Sequence, residues 1–181
     1  MRDAPLVVGP CNVGRGLFTT RGVVKSEPLF CFHGLAISLE KCLSKGASAA
    51  NPVQIGRNLY LDVKPPGVFI NHSCNPNAGV QHCFRVIALR DIERGEEIRI
   101  DYSTTMSEQR WIMACCCGEA DCRRIIGDFH DLPVELQDRY LALGIVQPFI
   151  VEEVKRLRKR EITMPCPPDC SASACYRKIR G

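Results

Sequence analysis

Cys115-x-Cys117-Gly118-x-x-x-Cys122 constrains the fold of this chain more than any other stretch. Three thiols lie within eight residues on a segment turned by Gly118, too close for unstrained disulfides among them but well spaced to share one ion. A tetrahedral ion needs four ligands, so a fourth must come from a distant part of the chain and close a loop. The plainer alternative is that some of these are ordinary buried thiols. Cys116 points away from its neighbours on any extended loop and is set aside. The chain has 12 cysteines in 181 residues; a secreted protein would use such a number for a disulfide framework, whereas metal thiolates imply a reducing, intracellular compartment.

Length allows one domain with a small appendage, and the apolar content suffices for a core. No apolar run approaches the roughly 20 residues that span a bilayer, and Met1-Arg2-Asp3-Ala4-Pro5 lacks the apolar stretch of a signal peptide. From residue 145 onward eight Lys/Arg stand against four Asp/Glu, which is the whole net charge of +4; residues 1–144 balance at sixteen each. A neutral body with a basic tail argues against a nucleic-acid-binding core.

Leu6-Val7-Val8, Gly22-Val23-Val24, Leu59–Val63, Phe84–Leu89 and Glu97–Tyr102 read as short strands separated by turn residues, with helix possible at Leu39–Leu43. Asp131 is placed to cap a helix through Leu132–Leu143 that Gly144 ends. A second helix is expected over Phe149–Glu161, and its Lys155–Arg160 run reads first as a solvated face, second as a nucleic-acid contact. The predicted class is mainly β, built from several small sheets and followed by helices.

Three further motifs accompany the cysteines: Gly14-Arg15-Gly16-Leu17-Phe18, Asn71-His72-Ser73-Cys74-Asn75-Pro76-Asn77 and Gly95-Glu96-Glu97-Ile98-Arg99-Ile100-Asp101-Tyr102. Each alone is weak. A lone GxG marks any tight turn, Asn, Ser and Pro are turn residues, and a tyrosine ending a strand is usually packing. Together, in this order, they resemble the SET-domain protein lysine methyltransferases with a cysteine-rich post-SET segment, over residues 7–129.

That resemblance implies a SET domain over residues 5–110 with a pseudoknot. A post-SET zinc segment would follow over 111–129, and a helical, basic, cysteine-containing extension over 130–181. It implies Zn²⁺ on Cys74, Cys115, Cys117 and Cys122, and S-adenosylmethionine bound by Gly14, Arg15, Gly16, Asn71, His72 and Tyr102. Tyr102 would orient the lysine amine, and Tyr60 would line the lysine channel. Ile100 and Val80, both apolar, occupy the two positions where related enzymes carry a product-limiting hydroxyl, so di- or trimethylation is expected. Related enzymes often have an arginine where this chain has Val68, a contact that Arg15 would have to replace. The segment 33–58 is short, so the substrate groove should be minimal.

The expected partner is a protein with an exposed lysine, such as a histone tail, with no membrane and at most weak nucleic-acid contact. The location would be nuclear in a eukaryote and cytoplasmic in a bacterium. The competing reading is a SET-like, zinc-stabilised interaction module without catalysis, which would have no need of Tyr102 or the Asn71-His72 pair. Cys166, Cys170 and Cys175 leave open a second metal site in the tail.

Overall fold

The computed structural model describes residues 6–48 and 51–163; Cys166, Cys170 and Cys175 lie outside them. Strands β1 (Leu6–Cys11) and β2 (Gly14–Thr19) form an antiparallel hairpin that pairs Cys11 with Gly14. Gly14 turns it at φ +114°, a conformation an L side chain would resist. Next come β3 (Pro28–Cys31), β4 (Gly34–Ser38) and helix α1 (Leu39–Leu43), whose first turn is capped by Ser38 accepting Lys41 N–H at 3.2 Å. They are followed by β5 (Val53–Gly56), β6 (Leu59–Val63) and the short β7 (Asn71–His72). Strands β8 (Ala78–Gln81), β9 (Arg85–Ala88) and β10 (Arg99–Ile100) complete the central part.

β6 sits between β4 and β5, and β9 between β3 and β8, giving two three-stranded antiparallel sheets. Leu17, Leu29, Val80, Val86, Ile92 and Ile98 are almost wholly removed from water in the core these sheets share with β2. Each such side chain contributes about 1.5–3 kcal/mol of burial free energy.

β7 and β10 pair in parallel, Asn71 with Arg99 and His72 with Ile100. Two residues cannot hold such a pair alone. Ser73 N–H donates to Ile100 O at 2.9 Å, and the Asn77 side chain continues the ladder. Asn77 Nδ2 donates to Glu97 O at 2.8 Å while its Oδ1 accepts Arg99 N–H at 2.9 Å. A side-chain amide presents N–H donors and a carbonyl acceptor at roughly peptide spacing, which explains an asparagine at this buried position. The segment 71–77 is thereby held along the later strand, the pairing on which the pseudoknot implied by the resemblance would rest.

β11 (Met113–Ala114) and β12 (Ile125–Ile126) form the hairpin that carries the cysteine segment, and α2 (Val134–Ala142) and α3 (Pro148–Thr163) follow. The mainly β architecture of small sheets agrees with the sequence pattern. Several boundaries differ for local reasons. Cys83 and Phe84 adopt positive φ of 60° and 58°, so the expected strand starts only at Arg85. Gly22–Val24 makes a single bridge, Val23 with Ile92. Asp131 does not cap α2, because its carboxylate turns back to Asp128 N–H at 3.0 Å within a preceding 3-10 turn. Gly144, at φ +66°, does follow the end of α2. Residues 152–163 belong to a second unit, in which Lys155 and Arg156 are exposed and Lys155 pairs with Glu152 at 3.1 Å. No helix among the described residues is long and apolar enough to cross a membrane.

Candidate active site and metal centre

The β1–β2 hairpin and β7 meet at Asn71. Asn71 Nδ2 donates to Arg15 O at 3.0 Å and to Glu97 Oε1 at 2.7 Å, and Cys11 Sγ lies 3.3 Å away. A Cβ on Gly16 would meet the end of the Glu97 side chain, so glycine lets that carboxylate lie directly against β2. Arg15 lies with its guanidinium 4.3 Å over the Phe69 ring. Backbone, amide and carboxylate groups thus converge on one spot, the kind of polar constellation that holds a zwitterionic amino-acid moiety. The buried His72 ring does something different. Its Nδ1 accepts Tyr102 N–H at 3.2 Å and its Nε2 lies 3.4 Å from Cys74 Sγ. Burial lowers His72 to about 4, so the ring is neutral and can bridge the two segments.

Tyr102 opens a 3-10 turn instead of ending a longer strand. Its hydroxyl donates to Ile70 O at 2.8 Å, and burial, with the charge of Glu97 adding to it, raises its pKa, so it remains a protonated hydroxyl at neutral pH. The wall it forms belongs to a cavity of about 390 Å³ lined also by Tyr60, Ile100, Val68, Cys42, Glu108 and Trp111. Tyr60 is buried, and its hydroxyl donates to the Glu108 carboxylate in a short hydrogen bond. Ile100 faces this cavity. Val80, on β8, is buried in the core and does not contribute to the lining.

Cys74, Cys115, Cys117 and Cys122 gather with all four sulfurs within 4.8 Å of one another, and Cys74 and Cys115 are 3.8 Å apart. A tetrahedron with metal–sulfur bonds of about 2.3 Å has edges of about 3.8 Å, so the donor set fits one thiophilic divalent ion. Burial raises Cys74 and Cys115. Burial also acts against ionisation of Cys117, yet backbone hydrogen bonds and the neighbouring thiols bring it down to about 7. Arg99 ties the cluster to β10, donating to Cys117 O at 3.0 Å and to Glu119 Oε1 at 2.8 Å. Cys116 is exposed, outside the group.

Asp101 and Arg123 were not singled out by their sequence context, yet they join the two halves of the site. Asp101, fully buried, receives both Arg123 guanidinium nitrogens at 2.7 and 2.8 Å and the Tyr140 hydroxyl at 3.0 Å. Arg123 follows Cys122, Tyr140 stands on α2, and Asp101 precedes Tyr102. The only sequence signal was an acidic residue directly before the tyrosine.

A family profile for the SET domain matches residues 14–103. The human histone-lysine N-methyltransferase 2B is 30% identical over 131 residues, 62% of this chain and 5% of that protein. Histone-lysine N-methyltransferase trithorax of Drosophila virilis is 29% identical over 130 residues, 62% of this chain and 3% of its length. Among solved structures, KRYPTONITE in complex with mCHG DNA and SAH superposes with a TM-score of 0.54 at 20% identity, covering 69% of this chain and 30% of that one. A humanized mutant of the Chaetomium thermophilum Polycomb Repressive Complex 2 gives 0.51 at 20% identity, covering 59% of this chain and 16% of that one. The chain belongs to the SET-domain family, and it spans only a small part of the curated relatives it matches.

Proposed function

We propose that this chain is a protein-lysine N-methyltransferase that takes its methyl group from S-adenosylmethionine and acts on an exposed lysine of a basic protein, such as a histone tail. The supporting observation is the placement of the Tyr102 hydroxyl, held on Ile70 O at the wall of the cavity and two residues beyond Ile100. Methyl transfer from a sulfonium is an in-line displacement that needs an uncharged amine held at near contact distance. Arg15, Gly16 and Asn71 would hold the methyl donor, Tyr60 and Ile100 would wall the lysine side chain, and Tyr102 would orient its nitrogen. An apolar wall and a nearby sulfonium both penalise the ammonium form of the lysine. Lys155 and Arg156 offer an auxiliary contact to nucleic acid, and a reducing compartment, the nucleus in a eukaryote, suits the thiols.

Incubation with labelled methyl donor and a histone-tail peptide array should label lysine peptides; no transfer to any peptide would overturn the reading. Ile100 can donate no hydrogen bond, and the Tyr60 proton is directed to Glu108. A water in the channel therefore lacks part of the two to four polar partners it needs, and a methyl group displaces it at little cost. Exhaustive reaction should end at di- or trimethyllysine by mass spectrometry, and Ile100→Tyr should shift the product toward monomethyl. A wild-type product that stops at monomethyl contradicts this account.

The four cysteines would hold a structural zinc ion that closes the cysteine segment onto β7. Protein purified without chelator should carry about one equivalent of zinc, and Cys122→Ser should lose it. Less than half an equivalent in the wild type, or retention in the variant, removes the site.

A further inference from the structure

We propose that Glu108, acting through Tyr60, accepts the proton that an incoming lysine ammonium must lose before methyl transfer. The inference rests on the methyltransferase reading above. A free lysine has a pKa of about 10.4, so at neutral pH its nitrogen lone pair is tied up in an N–H bond. Something in the cavity has to take that proton.

Among the described residues that line the cavity, the ionisable side chains are Cys42, Tyr60, Tyr102, Glu108 and Arg110. Tyr102 already donates to Ile70 O, and burial raises both its hydroxyl and the Cys42 thiol. Arg110 is a cation. Glu108 is the one carboxylate among them.

Its position is fixed from both sides. Ser107 N–H donates to the buried Gln54 Oε1 at 2.8 Å, and Gln109 N–H donates to the buried Asp128 Oδ2. The backbone flanking Glu108 is therefore pinned to β5 on one side and to the segment after β12 on the other. Between these anchors the carboxylate reaches the Tyr60 hydroxyl.

A phenol has one proton and two lone pairs. With the proton of Tyr60 directed to Glu108, a lone pair is left for an ammonium N–H entering the cavity. The lysine N–H bond breaks as a new O–H forms on Tyr60. The original Tyr60 O–H breaks as one forms on the Glu108 carboxylate, leaving a neutral amine, an intact phenol and a carboxylic acid. Burial and then the contact with Glu108 raise the Tyr60 pKa, so the phenol passes the proton on and does not keep the negative charge. Glu108 is only half-buried and can release its proton to water. Besides Arg110 and Tyr102, the groups facing this pair are Cys42 on α1 and, beyond it, the Lys45–Asp62 ion pair at 3.1 Å.

The test is kcat against pH, from 6.5 to 10, for the full-length wild type, Glu108→Gln and Tyr60→Phe on a lysine peptide chosen from the array. Both variants should fall roughly 100-fold at pH 7.5, the low end of what a positioned acid–base group supplies. Each should then gain about tenfold per pH unit and approach the wild type about two units higher, near pH 9.5, as lysine loses its proton in solution. Thermal stabilisation by S-adenosylhomocysteine should be unchanged in both. A Glu108→Gln profile parallel to the wild type across the range overturns the role and leaves the methyltransferase reading standing. If Glu108→Gln loses S-adenosylhomocysteine stabilisation through misfolding, Tyr60→Phe decides by the same criterion. A wild type that methylates nothing at any pH overturns the methyltransferase reading itself, and this role with it.

Discussion

Tyr102→Phe should reduce kcat by about 100-fold while leaving S-adenosylhomocysteine binding within a few-fold of wild type. The substitution removes a single oxygen and almost no volume, so packing against the buried His72 ring, 5.3 Å away between centroids, survives. What goes is the hydrogen bond to Ile70 O at 2.8 Å and the hydroxyl at the cavity wall. The freed carbonyl costs about 1 kcal/mol of stability, too little to unfold the domain. Contacts that would hold the methyl donor belong to Arg15, Gly16 and Asn71, which the substitution does not touch. Rate and binding therefore separate. Single-turnover transfer to a preferred peptide, beside calorimetry with S-adenosylhomocysteine, measures both. Activity within a few-fold of wild type would mean that another group orients the amine.

Sequence alone went far toward this site because its motifs sit where the backbone has little freedom. Gly16 leaves room for the Glu97 carboxylate, and Asn77 completes the ladder with its side chain, so both are visible as residue types. The cysteines are legible for the same reason: thiolate chemistry dictates number and spacing. Strand limits were less legible. Cys83 and Phe84 adopt a left-handed backbone that nothing in their side chains announces, and β10 is two residues long because Asp101 begins a turn by accepting Ser103 N–H at 3.1 Å. Asp131 has the right type and spacing to cap α2, but a closer donor, Asp128 N–H, takes its carboxylate. Least visible were Glu108 and Asp101. Their partners, Tyr60 and Arg123, lie 48 and 22 residues away, and a charged residue in a loop gives no local sign of where it will be buried.

Asp101→Ala should be the most destabilising single change outside the four clustered cysteines. The carboxylate is fully buried and serves four donors: two guanidinium nitrogens of Arg123, the Tyr140 hydroxyl and Ser103 N–H. Removing it leaves a guanidinium that is only 17% exposed without its counter-charge, and a buried phenol without an acceptor. Breaking a buried ion pair from one side costs about 3–5 kcal/mol, and partial access of Arg123 to water favours the lower end. For a chain of this size each kcal/mol moves the melting temperature by roughly 2–4 °C, so a fall of about 6–12 °C is expected. The exposed Arg21–Glu27 pair gives the contrast, since solvent screens it and Arg21→Ala should shift the melting temperature very little. Charge, not shape, drives the loss, because Asp101→Asn keeps the volume but removes the counter-ion and should lose most of the same stability. Adding Arg123→Met to Asp101→Asn should restore part of it, for the stranded cation is then gone. Arg123 is the residue after Cys122 and Tyr140 lies on α2, so loosening Asp101 should also loosen the cysteine segment and Tyr102 together, lowering activity and metal retention in the same variant. Melting curves for the four variants decide it: an Asp101→Ala shift no larger than that of Arg21→Ala would show that this network is not what holds the two halves of the site together.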